Sequence, residues 1–151
     1  MVKLLINLYW LGAIYVFGIT IIMGFSLPHT LKIFREAKKF NKALIIFTTL
    51  FLIGFVIQTF PGFNCLERKN LFYPLYGITY LIFYKISDNY IINTKGRHMY
   101  YLTIRHIKDE ESKKSTSLEN IIQIFNLIAS LALSNYVSFL LVKLIYNCQK
   151  Y

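Results

Sequence analysis

The sequence predicts an all-α polytopic membrane helix bundle of about four transmembrane helices, and three observations carry that expectation. Of 151 residues, 56% are hydrophobic and 16% charged, with a mean hydropathy of +0.47, which is more apolar than a soluble domain usually is. Uncharged stretches recur at lengths suited to the roughly 30 Å hydrocarbon slab. The 17 basic residues, source of the +10 net charge, gather between those stretches, where lipid headgroups and the positive-inside bias put them. The whole chain, 1–151, reads as one membrane domain.

Residues 4–27 hold 24 positions without a charge, about 36 Å of helix, and form the first expected span. Tyr9 and Trp10 lie near its start, where amphipathic rings favour the interface, and Gly12, Gly18 and Gly24 let another helix approach. No small-x-small site precedes Pro28, so this segment is read as retained rather than cleaved as a signal peptide. Residues 29–42 form a basic connector in which Lys32, Arg35, Lys38 and Lys39 are expected to meet lipid headgroups, with Leu31, Phe34 and Phe40 dipping between them. The second span, 43–60, is uncharged and stops at the helix-breaking pair Pro61-Gly62.

The third span, 71–86, is harder to build. Its uncharged part is 14 residues long, about 21 Å of helix, so crossing requires Lys85 to snorkel and Asp88 to lie near the headgroups. A re-entrant or interfacial segment is the rival reading. Residues 87–119 form the substantial polar stretch. Within it Asn89-Tyr90-Ile91-Ile92-Asn93 and 98–107 look strand-like around Lys95-Gly96, which predicts a short β-hairpin-like cytoplasmic insertion. Thr116-Ser117-Leu118-Glu119 matches a capping box and starts the fourth span, 120–145, where Lys143 can snorkel.

Four crossings put both termini and the Cys65 loop on one side. The connectors on the other side hold 12 of the 17 basic residues, so the N- and C-termini are expected on the non-cytoplasmic side. Cys65 and Cys148 would then share a compartment that permits a disulfide, provided their Cα atoms come within about 7 Å.

Function is less legible. The basic residues interrupt apolar runs, which favours membrane lipids over nucleic acid as their partner. His29, His98 and His106 all fall outside the spans, and eight residues of strand would hold His98 and His106 about 27 Å apart. No metal and no cofactor are therefore expected. The spans contain no Asp, Glu, His or paired Cys, so catalysis is not expected either.

Two patterned faces remain. Gln123, Asn126, Ser130 and Ser134, flanked by Glu119 and Ser138, share one side of the fourth helix, and Tyr73, Tyr76, Tyr80 and Tyr84 share one side of the third. Each face suits packing inside the chain's own bundle, and each suits a partner, because small and polar residues allow close approach and tyrosines anchor interfaces. These eight residues are the candidate partner-binding set.

The stretch Leu27-Pro28-His29-Thr30-Leu31-Lys32-Ile33-Phe34-Arg35 resembles the Pro-Gln loop of the PQ-loop sugar and amino-acid carriers. Pro28 stands at that family's hinge proline and His29 replaces its glutamine. The resemblance implies a small carrier with its N-terminus outside the cytoplasm. The reading that size and composition favour is a small integral membrane protein acting by intramembrane helix contacts with another membrane protein or itself, of accessory, regulatory or immunity/exclusion type. A homo-oligomeric pore, a holin-like protein or a small PQ-loop-like carrier is the alternative.

Overall fold

A computed structural model describes residues 34–100 and 114–148. The expected span 4–27, Lys32 and all but the end of the Pro-Gln-like stretch lie outside the described residues, as does 101–113. Among the described residues the elements are four helices: α1 (Ala37–Ile57), α2 (Cys65–Asn70), α3 (Pro74–Lys95) and α4 (Ser117–Tyr146). No strand occurs among the described residues.

Helices α1 and α4 are long and apolar enough to cross a membrane. A soluble core helix of that composition would be mostly buried, yet only 6% of the most apolar window of α1 and 22% of that of α4 lie inside. Ile45, Leu52 and Val56 of α1 and Ile121, Phe125 and Ile128 of α4 all point outward. α1 begins six residues before the expected span, so Lys38, Lys39 and Lys42 stand on its first turns and are exposed. α4 starts at the expected capping box, with the Glu119 carboxylate accepting from the Thr116 amide.

The expected strand at 89–93 is corrected. These residues continue α3, which runs from Pro74 to Lys95 and stops at Gly96, left-handed at φ 66. Lys95-Gly96 is thus a helix C-terminus, where a residue without a Cβ adopts positive φ at little cost, and not a hairpin turn. Burial decides against strand propensity here, since Tyr80, Tyr84, Asp88 and Ile91 follow steps of 4, 4 and 3 and all face inward. Of the second expected strand, His98 to Tyr100 are irregular and 101–107 lie outside the described residues.

α3 is the middle helix. It is antiparallel to α1, as Phe34 against Tyr84 and Phe51 against Phe72 indicate. It is antiparallel to α4 too, since Ser87 meets Asn126 and Thr79 meets Ser130. Covered on both sides, α3 does not need the continuous apolar surface that α1 and α4 present, which is why polar residues are tolerated in it. Helix α1 packs tightly on α3 at Gly77, where a Cβ would overlap the Phe47 ring. Gly77→Ala is expected to destabilise the bundle by about 1–3 kcal/mol. Adding Phe47→Ala should relieve the overlap, and thermal melting of both variants in detergent checks this.

Candidate functional site

The polar stripe of α4 forms a seam with α3. Asn126, Ser130, Ser134 and Ser138 are buried, and Gln123 is half-buried beside them. Ser130, Ser134 and Ser138 donate to carbonyls of their own helix, those of Asn126, Leu131 and Ser134. Such back-bonding satisfies a hydroxyl without a partner helix and leaves a small surface for close packing. Across the seam the Thr79 hydroxyl, which meets the Leu75 and Tyr76 carbonyls of its own helix at 3.0 Å, also lies 3.3 Å from the Ser130 carbonyl, and the Ser87 hydroxyl donates to Asn126 Oδ1 at 3.1 Å. The tyrosine face goes inward as well: Tyr76, Tyr80 and Tyr84 are buried and Tyr73 is half-buried. Tyr80 and Tyr84 pack with Ile91 and Met99, backed by Phe34 and Phe40. Both faces proposed for a partner are therefore engaged by the chain's own helices.

At one end of the seam stand two carboxylates that sequence reasoning did not single out as a site. Asp88 is 1% exposed and Glu119 0%. They receive the segment after Gly96, which makes no ladder of its own. The Met99 amide donates to Asp88 Oδ1 at 2.9 Å and the Tyr100 amide to Glu119 Oε1 at 3.3 Å. Arg35 Nη2 donates to the Met99 carbonyl at 2.8 Å and Gln123 Nε2 to the Tyr100 carbonyl at 2.7 Å. Side chains from α3, α4 and the turn before α1 thus take the place of secondary structure for the backbone of Met99 and Tyr100. Arg35, expected at a lipid headgroup, is half-buried and donates from Nη2 to the Met99 carbonyl, while Lys39 pairs with Glu36 at 2.7 Å on the surface.

Cations neutralise Glu119. Arg97 Nη1 donates to Oε1 at 2.7 Å, Lys95 Nζ lies 3.6 Å from Oε2, and the Thr116 amide and hydroxyl both donate to Oε2 at 2.8 Å. The Arg97 guanidinium also stacks 3.7 Å from the Tyr100 ring centroid. Glu119 stands in the first turn of α4, ahead of the uncharged stretch 120–142. Burial pushes its carboxyl up, but hydrogen bonds from Arg97, Thr116 and the Tyr100 amide outweigh that and hold it down at about 2. Asp88 Oδ2 lies 2.8 Å from His98 Nδ1, and the imidazole is partly exposed. His98 is therefore a carboxylate-held side chain at a helix end rather than a strand residue.

The opposite end is closed covalently. Cys65 and Cys148 form a disulfide with Cα atoms 6.3 Å apart, tying α2 to the end of α4. Asn64 and Glu67 cap α2 reciprocally at 2.8 and 2.9 Å. Arg68 stacks 4.0 Å from the Tyr146 ring centroid and donates to the Gln58 and Phe63 carbonyls, so the ends of α1, α2 and α4 are held together.

Among the described residues no three His, Cys, Asp or Glu side chains are grouped to hold a metal ion. Compared with known proteins, the chain matches no family model, no curated protein and no solved structure. What the arrangement does chemically is immobilise: each buried carboxylate is occupied by backbone amides and basic side chains.

Proposed function

We propose that this chain is a multi-pass integral membrane protein that acts by helix contacts with a membrane partner, as accessory, regulatory or immunity/exclusion proteins do. The observation that carries the reading is the inside-out distribution of polarity: α1 and α4 turn apolar side chains outward while the Asn and Ser stripe faces α3. Lipid accepts such a surface and water does not. A water pathway along the α4 stripe would need that stripe unoccupied, and α3 fills it. Under this reading α3 crosses with its two neighbours, its length of 22 residues giving about 33 Å.

Orientation follows from the two ends. The disulfide belongs to an oxidising compartment, whereas Lys38, Lys39, Lys42, Lys95, Arg97 and Lys114 cluster at the other end, as the positive-inside bias expects of the cytoplasmic face. Reporter fusions after Lys42 and after Lys114 should report cytoplasm, and a fusion after Tyr151 should not. Alkaline extraction should leave the protein in the membrane, and purification in mild detergent should recover it in a complex. A protein released by alkali, or a C-terminal reporter found in the cytoplasm, contradicts the proposal.

A further inference from the structure

Asn135 is an amide on the outside of a helix that reads as spanning. It lies about 23 Å along α4 from Asn120 and about 11 Å from Val142, the ends of the uncharged stretch, so it falls inside that stretch, about two turns from the nearer end. Its side chain is exposed, and no residue among those described hydrogen-bonds to it. An amide facing lipid tails has neither donor nor acceptor to meet, and such groups in spans find polar partners on other helices.

The surface around Asn135 has a period. Within the exposed side of α4, Ile121, Phe125, Ile128, Ala132, Asn135 and Phe139 follow steps of 4, 3, 4, 3 and 4, the Phe125 ring also meeting Phe83 of α3 edge-on. Ile121, Ile128 and Asn135, like Phe125, Ala132 and Phe139, are seven residues apart, the heptad spacing with which two helices keep one seam in contact along their length. The buried stripe Asn126, Ser130, Ser134, Ser138 and Val142 is a separate face, with steps of 4 throughout.

We infer that this outward face of α4 is a homotypic interface, on which a second copy of the chain lays its own α4 with the two Asn135 side chains hydrogen-bonded across the two-fold axis. The occupant follows from the chemistry of the amide: it carries both a donor and an acceptor, so an identical amide related by two-fold symmetry satisfies both at once. A single Asn in an otherwise apolar seam also fixes register, because any slip leaves both amides in hydrocarbon. Ala132, one turn earlier, lets the backbones approach. The inference rests on the membrane reading and identifies the partner as the chain itself.

The test uses the full chain in lipid bilayers, with a photo-crosslinking phenylalanine analogue at Phe125, Phe139 or, as a control on another exposed face, Leu133. Phe125 and Phe139 should give a covalent α4–α4 product at twice the chain mass, and Leu133 should not. In single-molecule subunit counting over a lipid dilution series, Asn135→Leu should weaken association about five- to thirtyfold, and Asn135→Gln should restore most of it. The Cys65–Cys148 bond should not change, since Asn135 lies outside the packed seam. Crosslinks confined to residues 1–33 of the same chain, to a different protein or to lipid would overturn the inference, as would unchanged association of Asn135→Leu. Release of the chain by alkali would instead sink the membrane reading, whereas a chain that stays in the membrane as a monomer removes only this interface.

Discussion

Glu119→Ala is expected to lower stability by about 3 kcal/mol and to release the segment from Arg97 to Tyr100 from the bundle. The carboxylate is fully buried and serves Arg97, Lys95, Thr116 and the Tyr100 amide at once. Removing it strands a backbone amide, leaves two cations without a counter-charge, and takes away one arm of the capping box that starts α4. Glu119→Gln keeps the volume and one acceptor, and should cost about half as much. Amide hydrogen exchange at Met99 and Tyr100, together with melting in detergent, reads both effects. No change in exchange at those two amides would refute the role given to Glu119. The same group predicts a pH dependence. Its carboxyl titrates at about 2 when folded against an ordinary value of 4.5. The stabilisation is therefore complete above about pH 4.5 and is lost as pH falls towards and through about 2.

Breaking the Cys65–Cys148 bond should have an effect of similar size. The bond closes a loop across 83 positions, and a crosslink of that span stabilises by about 2–4 kcal/mol, chiefly by restricting the unfolded chain. Cys65→Ser with Cys148→Ser should melt earlier by that amount, and α2 should come away from α4 while the Asp88 and Glu119 end stays intact. Protease sensitivity confined to residues near α2 would report the local release. Mass spectrometry of the non-reduced protein should find the two cysteines joined, and free thiols on both would refute the bond itself.

How much of this was legible beforehand varies by element. Long apolar helices at the second and fourth expected spans are legible because a long uncharged stretch and a Thr-x-x-Glu start signal are properties of the local sequence. By sequence α3 stops short because Lys85 and Asp88 look unsuited to lipid, and 89–93 looks strand-like because Tyr90, Ile91 and Ile92 favour strands. A signal was present: Tyr80, Tyr84, Asp88 and Ile91 keep a helical step, and a glycine after lysine ends helices as readily as it turns hairpins. Asp88 and Glu119 were not recognised as one site because the groups that occupy them, His98, Met99, Arg97 and Tyr100, reach them only once α3 and α4 lie side by side.

The sequence by itself therefore determined that the chain is helical, that the stretches of α1 and α4 are long and apolar enough to cross a membrane, and that Thr116 begins a helix. Each depends on composition or on spacing within a few turns. Only the tertiary structure decided that the Asn126, Ser130 and Ser134 stripe and the Tyr76, Tyr80 and Tyr84 face turn inward, and that Cys65 meets Cys148. A polar or aromatic stripe has the same period whether it packs on its own bundle or on a partner, and the choice is made by which neighbour arrives. Here α3 lies between α1 and α4 and takes the stripe, and Asn135 stands on the side of α4 that is exposed.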